Sequence, residues 1–317
     1  MPLPLPQGID TISDATTDGN DVKMLVHAFE SAVIEWTRLI RTVLKRDSAQ
    51  PLIEGKHPGA LFECDFWVAT KKNAESLQQQ LTSEPVQRMQ QVLEDNKSSY
   101  GAALQQQQEK IAQTLAEASD IVLHLEPLRF YVEQLEDVEL EAAPRLMKSI
   151  FATLRLIWTH SQHYNTARRM VVVLREICNQ LINTIVGHIE PRNLFAQEPE
   201  EGIEKPQLAL KVIAAVEAEF DATRQAIFAD SQAGKCNAWA FERQLVFARL
   251  DSYKSRIMKL HEVFRTFADF IKLEKVEVSG EKVRSLKARH ARHALTHSCS
   301  VAKQSTQAAF YGAVRTS

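Results

Sequence analysis

Residues 154–181, LRLIWTHSQHYNTARRMVVVLREICNQL, decide the fold because they join two amphipathic helical patterns through a short polar segment. Apolar residues recur with a 3.6-residue period on both sides of that segment: Leu154, Ile157, Trp158, Met170, Val173, Leu174, Ile177, Leu181 and Ile185. The sequence therefore predicts two helices that pack as a hairpin. Asn165 or Thr166 is available to cap the second helix.

The same helical period recurs along most of the chain, and β-type alternation is absent. Only ten of the 317 residues are glycine, which favours long helices. We therefore predict an all-α fold, an elongated array of helical hairpins and bundles. Besides the hairpin, helices are predicted from about residue 22, over 62–100 with a break at 83–85, over 102–125, and near 207–230 and 238–273.

Breaks in the helical pattern divide the chain into four regions. Residues 1–21 are rich in Pro, Gly, Asp and Thr and are predicted to be a flexible N-terminus. Residues 22–59 are predicted to hold an N-terminal helix and a linker that begins at Ser48. Residues 60–280 form the main helical region, and residues 281–317 form a basic C-terminal appendage.

Two acidic stretches interrupt the main helical region. Residues 133–141 hold paired carboxylates that would bind a cation or act as acid and base if they converged, but a solvated loop or helix end is the simpler interpretation. Pro144 then suits the first turn of the helix that carries Trp158. Residues 191–206 are predicted to be a flexible acidic connection.

Large aromatic side chains are the residues singled out for core or interface packing. They lie on or beside apolar helical faces, where such residues most often pack against other helices. No residue is assigned a catalytic, cofactor-binding or metal-binding role, and no cofactor is expected. The five candidates are Trp36, Trp67, Trp158, Tyr164 and Trp239.

Residues 229–236, ADSQAGKC, imitate the spacing of a phosphate-binding P-loop around Gly234 and Lys235. A P-loop needs an opening glycine for its turn and a final Ser or Thr hydroxyl for magnesium. Ala229 and Cys236 occupy those places, and no strand precedes them, so we predict no nucleotide site here. No HExxH, GxSxG or kinase-type motif organises another active centre.

Composition limits the remaining possibilities. A net charge of −2 gives the whole chain no attraction to nucleic acid or an anionic membrane. The four cysteines are far apart, so reduced, mostly buried thiols are expected. No signal-like N-terminus is present, and no stretch approaches the roughly 20 apolar residues that cross a bilayer.

Four segments, in order, resemble the N-terminal tail of dynein heavy chains, especially the axonemal outer-arm beta-like class. They are FESAVIEWTRLIRTVLKRDSAQPLIEG (29–55), FECDFWVATKKNAESLQQQLTSEPVQRMQQVLEDNKSSY (62–100), IWTHSQHYNTARRMVVVLREICNQLI (157–182) and WAFERQLVFARLDSYKSRIMKLHEVFRTFADFIKLEKVEVSG (239–280). The resemblance covers roughly residues 25–280. Four ordered matches are far more specific than one, and they identify residues 60–280 as the dynein heavy chain tail helical region.

The resemblance implies a non-catalytic tail segment that mediates heavy-chain association and dynein-complex assembly for microtubule-based ciliary movement. The implied partners are other dynein heavy chains and dynein intermediate and light chains, with no direct nucleic acid or membrane partner. The family's ATP-binding ring, stalk and microtubule-binding domain lie beyond the matched region, so no ATPase activity is expected. The implied location is the cytoplasm and the ciliary or flagellar axoneme.

After Gly280 the sequence is expected to depart from the family, as in a truncated or partial chain. Residues 282–317 carry seven lysines and arginines and no acid. His290, His293, His297 and Cys299 could contact a metal, but their cationic surroundings argue against it. The alternative interpretations are an independent helical adaptor whose basic terminus binds nucleic acid or a membrane, and, more distantly, a helical enzyme.

Overall fold

A computed structural model describes residues 3–6, 19–45, 59–189 and 199–274. Within these ranges the chain forms eight α-helices and no strand, which confirms the all-α prediction. The helices are α1 (Gly19–Leu44), α2 (Leu61–Leu81), α3 (Glu84–Asp95), α4 (Ser99–Gln134), α5 (Ala143–His160), α6 (Ala167–His188), α7 (Pro199–Gln232) and α8 (Gln244–Glu274).

The chain divides into two compact units. The first contains Met1–Gln50, Leu61–Arg129 and His160–Thr166, and the second contains the rest of the chain. Helix α4 contributes its residues up to Arg129 to the first unit and its residues from Phe130 onward to the second. The four-region division drawn from the sequence stays a prediction. Most of its linker (48–58) and all of its basic appendage lie outside the described residues.

In the first unit, α1 packs against α2 and α3, which also pack against each other. An apolar stripe along α1 is its buried side, and Leu104 and Ile111 of α4 complete the core. Burying these side chains removes apolar surface from water, which is the main stabilising contribution to a helical core. The buried residues of the stripe are Phe29, Val33, Trp36 and Ile40.

In the second unit, α8 packs against both α6 and α7. Its buried face repeats at helical spacing and holds Phe247, Leu250, Tyr253, Ile257, Leu260 and Phe264. Helix α5 ends at His160 and α6 begins at Ala167, so residues 161–166 form the short polar segment that was predicted between two helices. Their packing as a hairpin stays a prediction.

Two helices are longer than the sequence predicts. Helix α4 continues past residue 125 through Pro127, although an internal proline removes a backbone hydrogen bond and costs about 3 kcal/mol. The burial of Leu128 and Val132 on the next turns offsets that loss. Helix α7 begins at Pro199, inside the stretch predicted to be a flexible acidic connection, so that prediction is wrong from residue 199 onward.

Helix α7 can begin at Pro199 for a physical reason, although the acidic composition around it suggested a flexible connection. Proline suits the first position of a helix because its missing N–H would be unpaired there in any case. The other acidic stretch behaves as predicted, because α4 ends at Gln134 and residues 135–142 form turns.

The predicted break at 83–85 is confirmed, but the Ser83 side chain does not cap the helix that follows. Helix α3 begins at Glu84 with Ser83 at the capping position and a proline in the first turn. The Ser83 hydroxyl instead donates a hydrogen bond to the Gln80 carbonyl, 2.7 Å away, at the end of the preceding helix. The serine therefore closes α2 and makes no side-chain bond to α3.

Helix α6 is apolar enough to correct one expectation. Among the described residues it alone has the length and composition of a membrane-spanning helix, which the sequence analysis expected nowhere. However, 67% of its most apolar 18-residue window is buried inside the chain. Packing within the second unit therefore accounts for its apolar character.

Candidate functional site

The centre of the first unit is a carboxyl group that holds two of the predicted aromatic residues. Glu63 lies in the first turn of α2 and is fully buried. Its Oε1 accepts a hydrogen bond from Trp67 Nε1 at 2.8 Å and another from the Tyr164 hydroxyl at 2.9 Å. One acidic side chain thus fixes an indole on its own helix and a phenol about 100 residues away in sequence.

A second carboxylate in this unit fixes the backbone of the segment that carries Tyr164. Asp120 Oδ2 accepts hydrogen bonds from the Ser161 hydroxyl at 2.7 Å and from the His163 N–H at 3.1 Å. The Ser161 hydroxyl oxygen in turn accepts the Tyr164 N–H at 2.9 Å. Residues 161–166 are therefore ordered by side chains of α4 as well as α2, which the sequence analysis did not anticipate.

Trp36, the third candidate of this unit, is buried on α1 and makes its polar contact with the start of the chain. Its Nε1 donates to the Pro4 carbonyl at 2.8 Å. The Leu3 N–H donates to Gln80 Oε1 at 2.6 Å, and the Leu3 side chain joins the core. The described part of the predicted flexible N-terminus is thus anchored at two points.

The second unit is centred on a cluster of aromatic rings. Phe220 of α7 contacts three of them: Phe247 at 4.9 Å between ring centroids, Trp239 at 5.5 Å and Phe151 at 6.3 Å. Trp239 also contacts Trp158 edge to face at 6.3 Å. Such ring pairs contribute roughly 0.5–1.5 kcal/mol each beyond their buried area. Phe220 is the residue that joins the cluster.

The two tryptophans of this cluster differ in their polar contacts. Trp158 Nε1 donates to the Asn237 carbonyl at 2.6 Å. Trp239 Nε1 is buried and has no hydrogen-bond partner among the described residues, and the same holds for the Tyr253 hydroxyl. Trp239 is therefore held by ring packing, whereas Trp158 has both a ring contact and a directional polar bond.

The P-loop-like stretch is the end of a helix. The Gly234 N–H bonds to the Ser231 carbonyl and the Lys235 N–H to the Asp230 carbonyl, both at 3.0 Å, and Gly234 has a φ of +72°. This is the Schellman arrangement that closes many helices. The stretch begins in the last turn of α7, so a helix and not a strand precedes it.

Asp230 also ties this helix end to α5. Its Oδ2 accepts hydrogen bonds from Arg155 Nε at 2.9 Å and from Arg155 Nη2 at 2.6 Å. The hydrogen bonds from Arg155 lower the pKa of the Asp230 carboxyl below its usual value. Lys235 Nζ lies 3.5 Å from Asp230 Oδ1, so its ammonium group faces this carboxylate.

A further buried carboxyl group of the second unit, that of Glu176, binds the backbone at Gly59. Glu176 of α6 is buried, and its Oε2 accepts the Gly59 N–H at 2.9 Å. Asn179, one turn further along, accepts a hydrogen bond from Arg249 of α8 at 2.9 Å. Burial raises the pKa of the Glu176 carboxyl above its usual value, and burial also lowers the pKa of the Arg249 guanidinium.

Cysteines follow the expectation of buried thiols where the structure describes them. Cys64 of α2 and Cys178 of α6 are free and buried. Burial raises the pKa of each of these thiols to about 12. Cys236 is partly buried, and Cys299 lies outside the described residues together with the three histidines near it.

All five aromatic candidates are buried. The structure brings Trp67 and Tyr164 together on Glu63, and brings Trp158 and Trp239 together in the ring cluster, while Trp36 stands apart. An interface role for them stays a prediction. Over the described ranges, no group of three or more His, Cys, Asp or Glu side chains is arranged to hold a metal ion.

Two open grooves lie on the first unit. One is lined mainly by glutamine side chains of α2, α3 and α4 around Leu81 and has a volume of about 420 Å³. The other, which we call the basic groove, lies between the second half of α1 and the start of α4, with a volume of about 460 Å³. Neither contains a set of residues arranged for catalysis.

The fold and the two buried centres define a class of protein: an all-α chain whose tryptophan and tyrosine candidates pack in the interior. The model of dynein heavy chain N-terminal region 1 matches residues 26–315. The chain belongs to the dynein heavy chain family.

Several axonemal chains are similar to this one. The ciliary dynein beta chain of Tripneustes gratilla is 41% identical over 292 residues, and that of Heliocidaris crassispina is 39% identical over 289 residues, each match covering 90% of this chain. The flagellar outer-arm dynein beta chain of Chlamydomonas reinhardtii is 36% identical over 81% of this chain. These names support a location in the axoneme of a cilium or flagellum.

The matches cover a small part of each relative but nearly all of this chain. The chain spans about 6% of the length of each of these relatives. The family model continues to residue 315, so the expectation that family resemblance ends at Gly280 is wrong. The basic composition of residues 282–317 therefore falls within the family region.

Proposed function

We propose that this chain is a non-catalytic tail segment of an axonemal dynein heavy chain. It associates with other dynein heavy chains and with intermediate and light chains, and so assembles a complex for microtubule-based ciliary movement. The observation that supports this most strongly is the match of residues 26–315 to N-terminal region 1 of the family. The flagellar outer-arm beta chain among the relatives favours the outer dynein arm as that complex.

Association would use apolar side chains that the units leave exposed. On α8, Met258 is 53% exposed, and on α7, Phe228 is 58% exposed. Burying such side chains against a partner helix stabilises a complex, while polar residues around them fix its register. Trp158 and Trp239 are buried in the same unit and would contribute to its core without contacting the partner.

The non-catalytic role is part of the proposal. The stretch that resembles a P-loop ends helix α7, and its lysine faces Asp230. A phosphate-binding loop instead needs a row of free backbone N–H groups at the start of a helix. We therefore expect no ATP turnover by the purified chain.

Co-expression tests the proposal. The chain would be produced with the N-terminal segments of an axonemal heavy chain and an intermediate chain, and the complex measured by size-exclusion chromatography with light scattering. We expect the complex to persist in about 0.5 M salt, where exposed ion pairs are screened. Met258→Asp should weaken it, whereas Ser255→Asp, at an exposed position one turn earlier on the same helix, should not.

Two outcomes would overturn the proposal. The first is a chain that stays monomeric with every dynein subunit tested but binds nucleic acid or anionic vesicles at low salt, which would favour the helical adaptor with a basic terminus. The second is ATP hydrolysis that co-purifies with the chain and is lost on Lys235→Ala, which would identify a nucleotide site.

A further inference from the structure

Helix α1 carries a second stripe beside the one that builds the core. The residues are Ile34, Thr37, Arg38, Arg41 and Thr42 of α1, followed by Lys45 one residue past its end. Their spacing alternates between three residues and one, which keeps all six on one face of a helix. The stripe therefore extends over about three turns on the side of α1 that faces the basic groove.

The opposite wall of the basic groove belongs to the first turn of α4. Tyr100 and Ala103 line it there, and both also pack against the core of the first unit. Val33 is almost fully buried beneath the groove, whereas Ile34 on its wall is 54% exposed. The groove thus combines an apolar floor with one large apolar side chain that is left in contact with water.

The rim of the groove carries only positive charge. Arg38, Arg41 and Lys45 line it, and no Asp or Glu does. None of the three makes an ion pair with another residue in the part of the chain that the structure describes. Like charges held along one face repel one another unless an opposite charge is present.

The position of these cations at the end of α1 has a partial local explanation. Positive side chains near the C-terminus of a helix interact favourably with its dipole, by about 0.3–1 kcal/mol each. That interaction accounts for Arg41 in the last turn. It does not account for the exposed Ile34 or for the apolar floor, which lie beside the cations and not at the helix end.

We propose that the basic groove binds an acidic amphipathic helix of another subunit. Apolar side chains of that helix, at positions i, i+3 or i+4 and i+7, would cover Ile34 and Tyr100, as in other complexes where a helix lies in a groove. Its carboxylates would pair with Arg38, Arg41 and Lys45 at the rim. The inference rests on the proposed function, because it names the surface and the chemistry of one partner in the complex.

A designed peptide gives a direct test on the full chain. The probe is a fluorescein-labelled 18-residue helix of Leu, Ala and Glu, with leucines at helical spacing and glutamates on both sides. Its binding is measured by fluorescence anisotropy at about 50 mM and about 300 mM salt. We expect saturable binding that weakens with salt, and at least about tenfold weaker binding of a peptide with the same composition but scattered leucines.

Three variants assign the binding to the groove. Arg38→Glu/Arg41→Glu should weaken binding at least about tenfold, mainly through slower association. Lys259→Glu/Arg265→Glu changes the net charge equally on exposed positions of α8 and should leave binding within about twofold. Ile34→Asn keeps every charge and should weaken binding severalfold, because the apolar contact is lost. Circular dichroism confirms that each variant remains helical.

Each remaining result counts against the proposal. Equal binding of the two peptides, or equal weakening by the two charge variants, would mean general attraction and no groove. Absence of binding would overturn it as well. If the peptide does not bind but the co-expressed complex forms and survives Arg38→Glu/Arg41→Glu, the groove is rejected while the assembly function stands. If a second copy of the chain occupies the groove instead, the chain will form a dimer that this variant dissociates.

Discussion

Trp67 in the first unit and Trp239 in the second are both buried, yet their surroundings differ. The Trp67 indole N–H donates to Glu63, a carboxyl group that also orders Tyr164. The Trp239 N–H has no hydrogen-bond partner among the described residues, and its ring lies among other rings. One centre is defined by directional bonds to a single acceptor, and the other by the fit of ring volumes.

This difference predicts how much stability each unit loses when one of these side chains is substituted. Directional bonds fix one geometry, but each adds only about 0.5–1.5 kcal/mol to the free energy of unfolding. Close ring packing contributes more, because removing one large side chain loses its buried surface and leaves a cavity. We therefore expect the second unit to depend most on a single ring and the first on a single acceptor.

The largest expected effect comes from Phe220→Ala in the ring cluster. Loss of its contacts with Phe151, Trp239 and Phe247 should lower the free energy of unfolding by about 3–5 kcal/mol. Hydrogen exchange followed by mass spectrometry should show lost protection in α7 and α8. The exposed Phe228→Ala on the same helix is the matched control and should change stability by no more than about 0.5 kcal/mol. Similar effects of the two changes would contradict a packed ring cluster.

The next effect is expected for Glu63→Ala in the first unit. Removing the acceptor of both Trp67 and Tyr164 should cost about 2–4 kcal/mol. Tyr164→Phe removes one of the two bonds and should cost about 1 kcal/mol. Urea unfolding of the single and double variants checks this, because bonds that share one acceptor should not be additive. Additive losses would show that Glu63 and Tyr164 act independently.

A smaller effect should appear as a pH dependence of the second unit, which contains its own buried carboxyl group. Burial raises the pKa of Glu176 in the folded chain, so the unfolded chain loses this proton first as the pH increases from about 4.5. The free energy of unfolding should therefore fall as the pH rises through the interval between the two pKa values. Glu176→Gln should remove that fall from urea midpoints measured between pH 4 and 7, whereas Glu242→Gln at an exposed position should retain it. Identical profiles for all three chains would argue against the assignment to Glu176.

The smallest effects are expected at two helix ends that close in the same way. Lys97, after α3, has a φ of +55°, while Gly234, after α7, has a φ of +72°. Glycine adopts this left-handed conformation without the steric cost that a side chain brings. Lys97→Gly should raise the free energy of unfolding by about 0.5–1 kcal/mol, and Gly234→Ala should lower it by about 1 kcal/mol. Thermal melts that shift in the same direction for both variants would contradict this account.

The helical fold was predictable because its periodicity is local. The stripe of Phe29, Val33, Trp36 and Ile40 is visible as a 3.6-residue repeat, and the same stripe is buried in the structure. The errors in helix length arose at prolines. Pro127 lies inside α4, and Pro206 lies inside α7, because apolar burial on neighbouring turns outweighs one lost backbone bond. No local pattern reports that balance.

The buried centres were predictable only in part. Aromatic residues on apolar faces indicated burial of Trp67, Tyr164, Trp158 and Trp239. Their acceptors were missed, because Glu63 precedes Tyr164 by about 100 residues and only the folded chain brings them together. Asp120, which holds the segment around Tyr164, gave no signal beyond an acid in a helical pattern. The basic groove was missed for a similar reason, since its second wall comes from a different helix.

The buried thiols report how often each unit opens. Burial raises the pKa of Cys64 and Cys178 to about 12, and thiols are much weaker nucleophiles than thiolates, so alkylating reagents and peroxides react slowly with them while the helices stay closed. Cys64 belongs to the first unit and Cys178 to the second. The rate at which each sulfur becomes modified therefore counts how often its own unit opens, and it does so without any added label on either unit.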